Sequence, residues 1–228
     1  MGEVTILITN YNYGQYVAEA IESALAQTHK CDIIVIDDGS SDNSVEIIKK
    51  YPVKLIQKEN EGISKTRNRG VEEAQTEWIL QLDADDKLDP TFIEKTLELI
   101  KEADIVGTWQ REFGEFNQDH PFIPDPTHEM FKQHNRINAC SIYKKEMWKF
   151  LRGYDEFLGG KPYQGYEDWD FWLRATWFGY KVKIVPEYLF LYRMHGVSGN
   201  KTAVSNHFKN ITYMMKKLGI MNERLSQQ

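Results

Sequence analysis

The sequence predicts an α/β protein: a mostly parallel sheet flanked by helices, with a smaller, less regular region in the second half. Three observations predict it. Short apolar, β-branched runs alternate with segments of helical periodicity, and the connections between them are short. Polar clusters recur just past the carboxyl ends of the apolar runs, where sheets of this kind bind ligands.

The elements follow in order. Residues 3–9, containing Val4-Thr5-Ile6-Leu7-Ile8, form a first strand, and the turn-forming segment Asn10-Tyr11-Asn12-Tyr13-Gly14 ends it. Val17, Ile21, Ala24 and Leu25 recur at helical spacing over about 15–27. Residues 32–37 are apolar through their centre, as a buried parallel strand is. Ser41 or Asp42 caps a helix carrying Val45, Ile47 and Ile48, and residues 53–57 make a third strand. A helix follows Asn60-Glu61-Gly62 to about Ala74, and a strand runs from Glu77 to Leu82. Pro90 opens a helix to about Ile100, residues 104–109 are a strand, and residues 114–136, with Pro121, Pro124 and Pro126, read as an irregular excursion or mobile loop. A short helix near 144–150, a helix over about 166–177, extended chain over 181–193 and an amphipathic helix over about 203–218 complete the pattern.

Composition narrows the function. The chain has 228 residues, enough to bury a core without disulfides or structural metal. A net charge of −6 excludes nucleic acid as a partner, because no basic surplus is available to displace counterions from a phosphate backbone. Cys31 and Cys140 have no CxxC spacing, so they read as buried thiols rather than a zinc or redox motif. No stretch approaches the roughly 20 apolar residues that span a bilayer, and no basic leader precedes Val4, which makes the cytoplasm the expected location.

Five segments could carry chemistry. Asp83-Ala84-Asp85-Asp86 sets three carboxylates at a strand end, where they repel one another unless a cation or solvent relieves them. Two readings stand even: a corner holding a hard divalent ion with substrate phosphates, or a solvated turn before Pro90. A calcium loop is disfavoured, since Leu88 stands where such a loop needs glycine. Asp37-Asp38-Gly39-Ser40-Ser41-Asp42 is turn and cap chemistry for Ser41 and Asp42, yet a carboxylate there could accept the ring N–H of a pyrimidine. The stretch from Asn60 to Gly70 mixes glycine, amide and three cations at a helix entry; alone it reads as an exposed basic face. Glu167 and Asp168 suit the first turn of a helix on dipole grounds alone, but four aromatics surround them, the partly apolar setting a general base needs. His195, in Tyr192-Arg193-Met194-His195, matters only in company. No Walker motif or GxGxxG occurs.

Taken together, these segments resemble the inverting glycosyltransferases of family 2, with their GT-A type, Rossmann-like fold. Val4 to Asn12 through Ala24-Leu25-Ala26-Gln27-Thr28 is similar to that family's opening strand and helix, and Ile34 to Asp42 to its second strand and loop. Asn60 to Gly70 is similar to its glycine-to-Arg-Asn helix, with Thr66 where alanine is commoner. Asp83-Ala84-Asp85 matches its DxD signature, and Glu167-Asp168 and Tyr192 to His195 its later acidic pair and histidine segment. The resemblance is close over about 110 residues and loose from 110 to 160 and at the end. It implies a nucleotide-sugar-binding subdomain over 1–110 and an acceptor-binding, catalytic-base subdomain over 111–228. It implies that Thr9 and Tyr11 line the base, that Asp38, Asn60 and Arg67 fix the pyrimidine edge, and that Asp83 contacts the ribose or the metal's shell. Asp85 and His195 would ligate Mn²⁺ or Mg²⁺, and Asp168 would be the general base.

The implied partners are a nucleotide-sugar donor, with uridine favoured, and a saccharide or lipid-linked saccharide acceptor, the latter met at a membrane surface. Two alternatives remain. A nucleotidyltransferase would carry a glycine-rich loop with a cation after the first strand, where this chain has Asn10 to Gln15 without one. A non-catalytic sugar- or nucleotide-binding module would not need Asp83, Asp85, Asp168 and His195 together.

Overall fold

The structure is a computed structural model that describes residues 3–159, 165–196 and 206–225. The first half alternates β1 (Val4–Asn10), α1 (Val17–Leu25), β2 (Asp32–Asp37), α2 (Ser44–Ile48), β3 (Lys54–Gln57), α3 (Ile63–Glu73) and β4 (Trp78–Asp83). Next come β5 (Lys87–Leu88), α4 (Phe92–Leu97), β6 (Ile105–Gly114), β7 (Asp119–His120) and α5 (His128–Phe131). The chain continues through β8 (Ile142–Lys144), α6 (Lys145–Leu151), α7 (Glu167–Trp177), β9 (Val182–Met194) and α8 (His207–Leu225).

One sheet runs in the order β3-β2-β1-β4-β8-β6-β9-β5, with β7 paired to β6 beside that path. The expected parallel arrangement holds for β3, β2, β1 and β4, and β6 and β9 are also parallel to each other. β8, β5 and β7 pair antiparallel with their neighbours. β1 is buried along its whole length because both faces are covered. Val4, Ile6 and Ile8 pack with α1 on one side, while Leu7 packs with Val71 of α3 and the aromatics of α7 on the other. Full burial of each such aliphatic side chain stabilises by about 1.5–3 kcal/mol, so β1 anchors both layers.

Two local features set helix positions. α1 buries Val17, Ala20, Ile21 and Ala24, whereas Leu25, expected on that face, is 43% exposed at the last turn. α3 lies close to the sheet: a Cβ on Gly70 would meet Ile36 Cδ1 at 2.8 Å and Leu7 Cδ1 at 3.1 Å, so any larger residue there would have to displace those side chains.

The second half is more ordered than its sequence suggests. Residues 114–136 include β7 and α5, and Phe131 is fully buried. Trp109 Nε1 donates to the Phe122 carbonyl at 3.0 Å, Ile184 N to the Pro124 carbonyl at 2.9 Å, and Trp169 Nε1 to the Phe131 carbonyl at 2.7 Å. These bonds pin an aperiodic segment whose order comes from tertiary partners. The stretch 181–193 is one long strand, β9, whose register with β6 slips between Thr108 and Gln110. Pro186 sits at that slip, where its missing N–H makes regular pairing impossible. Among the described residues no helix is long and apolar enough to cross a membrane, and Cys31 and Cys140 are both free thiols.

Candidate active site

Register assembles the site. Thr9 of β1 pairs with Asp83 of β4, and Asn10 with Asp37 of β2, so three parallel strands end at one level. Beyond them lies a cavity of about 940 Å³, lined by Thr9, Tyr11, Asp38, Asn60, Arg67, Asp83, Asp85 and Asp168. Eight of the nine expected residues therefore line one space, although up to 159 positions separate them in the sequence, and His195 adjoins it through its contact with Asp85.

At the β2 end, Asp37 is consumed by structure: it accepts from Asn10 Nδ2 at 2.7 Å and from the Ser40 backbone N–H at 3.0 Å. Asp38 accepts the backbone N–H of Glu61 at 3.0 Å and of Gly62 at 2.9 Å, and it pairs with the Lys58 ammonium. Gly62, at φ 93°, takes a left-handed turn that other residues resist, which allows its N–H to face that carboxylate as α3 begins. Tyr11 stands at the rim, 48% exposed.

Arg67 is 2% exposed and joins two halves of the cavity floor. Its Nη2 donates to Asp83 Oδ1 and Oδ2 at 3.0 and 3.2 Å, and its Nη1 to Glu167 Oε1 at 2.6 Å. This guanidinium, expected at a base edge, lines the cavity while both of its terminal nitrogens hold carboxylates, because α3 packs its polar face inward. Thr9 Oγ1 adds a 2.8 Å bond to Asp83 Oδ1. Burial pushes the Glu167 carboxyl up to about 7, opposed by the Arg67 charge.

The three acids of α7's first turn divide cleanly. Asp170 is paired with Arg174 at 2.7 Å and Lys217 at 3.0 Å, and Glu167 with Arg67. Among the described residues, Asp168 accepts a side-chain hydrogen bond from the Asn135 amide at 2.9 Å. Burial raises its carboxyl above the ordinary aspartate value, while Arg67, the Trp169 N–H and the Asn135 amide pull the other way. Gly165 and Tyr166 are both left-handed, at φ 112° and 71°, immediately before the helix. Such conformations are costly for tyrosine, and here they start α7 with Asp168 lining the cavity.

Across the cavity, β5 pairs with β9, so the chain after β4 lies against Arg193 to His195. Arg193 Nε donates to the Asp85 carbonyl at 2.7 Å and its backbone N–H to Asp86 Oδ1 at 2.8 Å. His195 Nε2 lies 2.9 Å from Asp85 Oδ2, with Tyr13 and Tyr16 ring centroids 5.8 and 5.1 Å away. Burial and the neighbouring Asp83 raise the Asp85 carboxyl above its usual range, although His195 opposes them. A carboxylate oxygen and an imidazole nitrogen are both ligands of first-row divalent ions. Among the described residues no group of three or more acidic, histidine or cysteine side chains could hold such an ion unaided. The pair fits an ion whose other positions belong to substrate oxygens, the pattern of magnesium–nucleotide sites.

Sequence reasoning missed Asn135 and Asn138, both in the aperiodic stretch before β8, and Gln81, hidden within an apolar strand. No spacing signal marks a polar residue that acts alone from a loop.

Comparison with known proteins decides the family. A family model described as glycosyl transferase family 2 matches residues 5–158. The chain belongs to glycosyl transferase family 2. An uncharacterized glycosyltransferase of Methanocaldococcus jannaschii is 30% identical to this family 2 chain over 210 residues, covering 84% of it and 70% of the relative. Two solved structures share the fold. S. aureus TarS 1-349 in complex with UDP-GlcNAc superposes with a TM-score of 0.71 at 18% identity, covering 87% of this chain and 60% of that one. Mannosyltransferase PcManGT from Pyrobaculum calidifontis, in complex with GDP-Man and Mn²⁺, gives 0.68 at 14% identity, covering 88% and 59%. The fold of this family 2 chain is therefore the GT-A type, and it spans about three fifths of those two structures.

Proposed function

We propose that this family 2 chain transfers a sugar from a nucleotide-diphosphate sugar to a saccharide or lipid-linked saccharide acceptor, with inversion at the anomeric carbon. One observation carries the reading: Asp168, the least committed acid of α7, lines the same cavity as Asp83 and Asp85, and Asp85 is in turn met by His195. TarS is described with UDP-GlcNAc and PcManGT with GDP-Man and Mn²⁺, which supports the ligand class. We favour uridine and a hexosyl or hexosaminyl donor.

Tyr11, Thr9 and Asn60 surround the base and ribose, and Asp38 holds the 58–62 loop against the base edge. Arg67 fixes Asp83 on the ribose side. Asp85 and His195 would hold Mn²⁺ or Mg²⁺, which supplies Lewis-acid stabilisation to a diphosphate as its charge grows. Asp168 takes the acceptor hydroxyl's proton while that oxygen bonds to the anomeric carbon. The bond to the diphosphate breaks with its electron pair leaving on the diphosphate oxygen. Transfer of that proton contributes typically about 10²–10⁴-fold. One base and one displacement give inversion without a covalent sugar–protein intermediate. The two free thiols suit a reducing compartment, and we assign the cytoplasm.

Incubation with UDP-sugars and Mn²⁺, followed by assay of free UDP, tests the reading. Release of UDP is expected. Binding without release would point to a non-catalytic module, and a requirement for pyrophosphate to a nucleotidyltransferase.

A further inference from the structure

The cavity is lined by residues whose buried side chains hold polar atoms without a partner among the described residues. Buried Asn10 Oδ1, Gln81 Oε1 and Asn135 Oδ1 have no hydrogen-bond partner among the described residues. All three are neutral acceptors, so they call for a ligand rich in hydroxyl donors. Asn138 goes further, because its amide nitrogen and its amide oxygen are both buried and both unpaired. Exchanging the two ends of the amide would change nothing, since neither is satisfied. A buried amide without partners costs free energy in the unliganded protein, and among the described residues no side-chain hydrogen bond of Asn138 offsets that cost.

Position narrows the partner. Asn138 follows Asn135, whose amide nitrogen is spent on Asp168 at 2.9 Å. It precedes Cys140, which also lines the cavity and feels the charges of Asp86 and Asp83. Asn138 thus belongs to the wall of the cavity that Asp168 and Asp85 also line. Under the proposed function, the group held between those two acids is the transferred sugar.

Resting on that reading, we infer that Asn138 determines donor specificity, giving one hydrogen bond and accepting one from adjacent polar groups on the transferred sugar. A primary amide presents a donor and an acceptor side by side and suits a vicinal diol or a hydroxyl beside an acetamido group. It does not touch the nucleotide.

Calorimetry in Mn²⁺ with UDP, UDP-glucose, UDP-galactose, UDP-N-acetylglucosamine and UDP-N-acetylgalactosamine tests this on the wild type, Asn138→Ala and the near-isosteric Asn138→Asp. The wild type binds one UDP-sugar more tightly than UDP. In both variants UDP affinity stays within about twofold, while affinity for that sugar nucleotide falls about 10- to 100-fold, or about 1.4–2.8 kcal/mol. Preference over its epimer falls in parallel. The melting temperature of Asn138→Ala is unchanged or higher, since no native partner is lost; a purely structural asparagine would lower it. Equal loss of UDP and UDP-sugar binding, or no loss of either, overturns the inference and leaves the proposed function standing. Sugar nucleotides that bind the wild type no better than UDP overturn it too. A wild type that binds no UDP removes the underlying reading and this inference with it.

Discussion

Arg67 on α3 and Glu167 at the start of α7 meet at 2.6 Å across a hundred residues of sequence, in a contact from which water is nearly excluded. The same guanidinium holds Asp83 at the end of β4, so one side chain ties the end of that strand to the helix that carries Asp168. Removing one partner of a buried pair strands the other charge, whereas an exposed pair contributes little.

Arg67→Met is therefore expected to destabilise the fold by about 3–5 kcal/mol in urea denaturation, and Arg67→Lys to restore only part, since an ammonium lacks the fork. The loss depends on pH in a definite direction. Burial already holds Glu167 near 7, above its unfolded value of about 4.3, so its contribution to stability declines as pH rises through that interval. Without Arg67 the carboxyl rises further, and the deficit at pH 8 exceeds that at pH 5.

Asp168→Asn keeps the shape and the Asn135 neighbour but cannot take a proton. Transfer should fall about 10²–10⁴-fold, while UDP affinity by calorimetry stays within about twofold.

Asn135→Ala removes a donor that favours the ionised form of Asp168. The Asp168 carboxyl then rises, and the acidic limb of the kcat/KM profile moves to higher pH. In the wild type that limb lies above the ordinary aspartate value of about 3.9, because burial raises the group.

Asp85→Ala and His195→Ala each remove one member of the 2.9 Å pair. Mn²⁺ should no longer add to the thermal stabilisation given by UDP, whereas UDP alone should stabilise variants and wild type alike. A ligand that binds only the native state at a hundred times its Kd contributes about 2.7 kcal/mol, enough to read in a melting curve.

Much of this architecture was legible because it repeats. Val4 to Ile8, Ile33 to Ile36 and Ile79 to Leu82 are apolar runs whose ends carry the polar residues of the site, and parallel register brings those ends level. Leu25 was misplaced because helical spacing cannot say where the buried face stops. Regular structure near Ile142 and Tyr143 was legible, but three residues carry no mark of an antiparallel place between β4 and β6. Arg67 was visible as a cation at a helix entry, but not as a buried one, since its burial depends on Glu167 a hundred positions later. Asn135 and Asn138 sit in aperiodic chain, where neither periodicity nor motif spacing identifies a working side chain.

The most direct measurement compares UDP released from UDP-sugar in the presence of Mn²⁺ by the wild type and by Asp168→Asn, with UDP affinity measured on both. The wild type should release UDP, and the variant should bind UDP equally yet release it at least about 100-fold more slowly. Near-equal release by the two proteins would contradict Asp168 as the base, and absence of UDP binding to both would contradict the site itself.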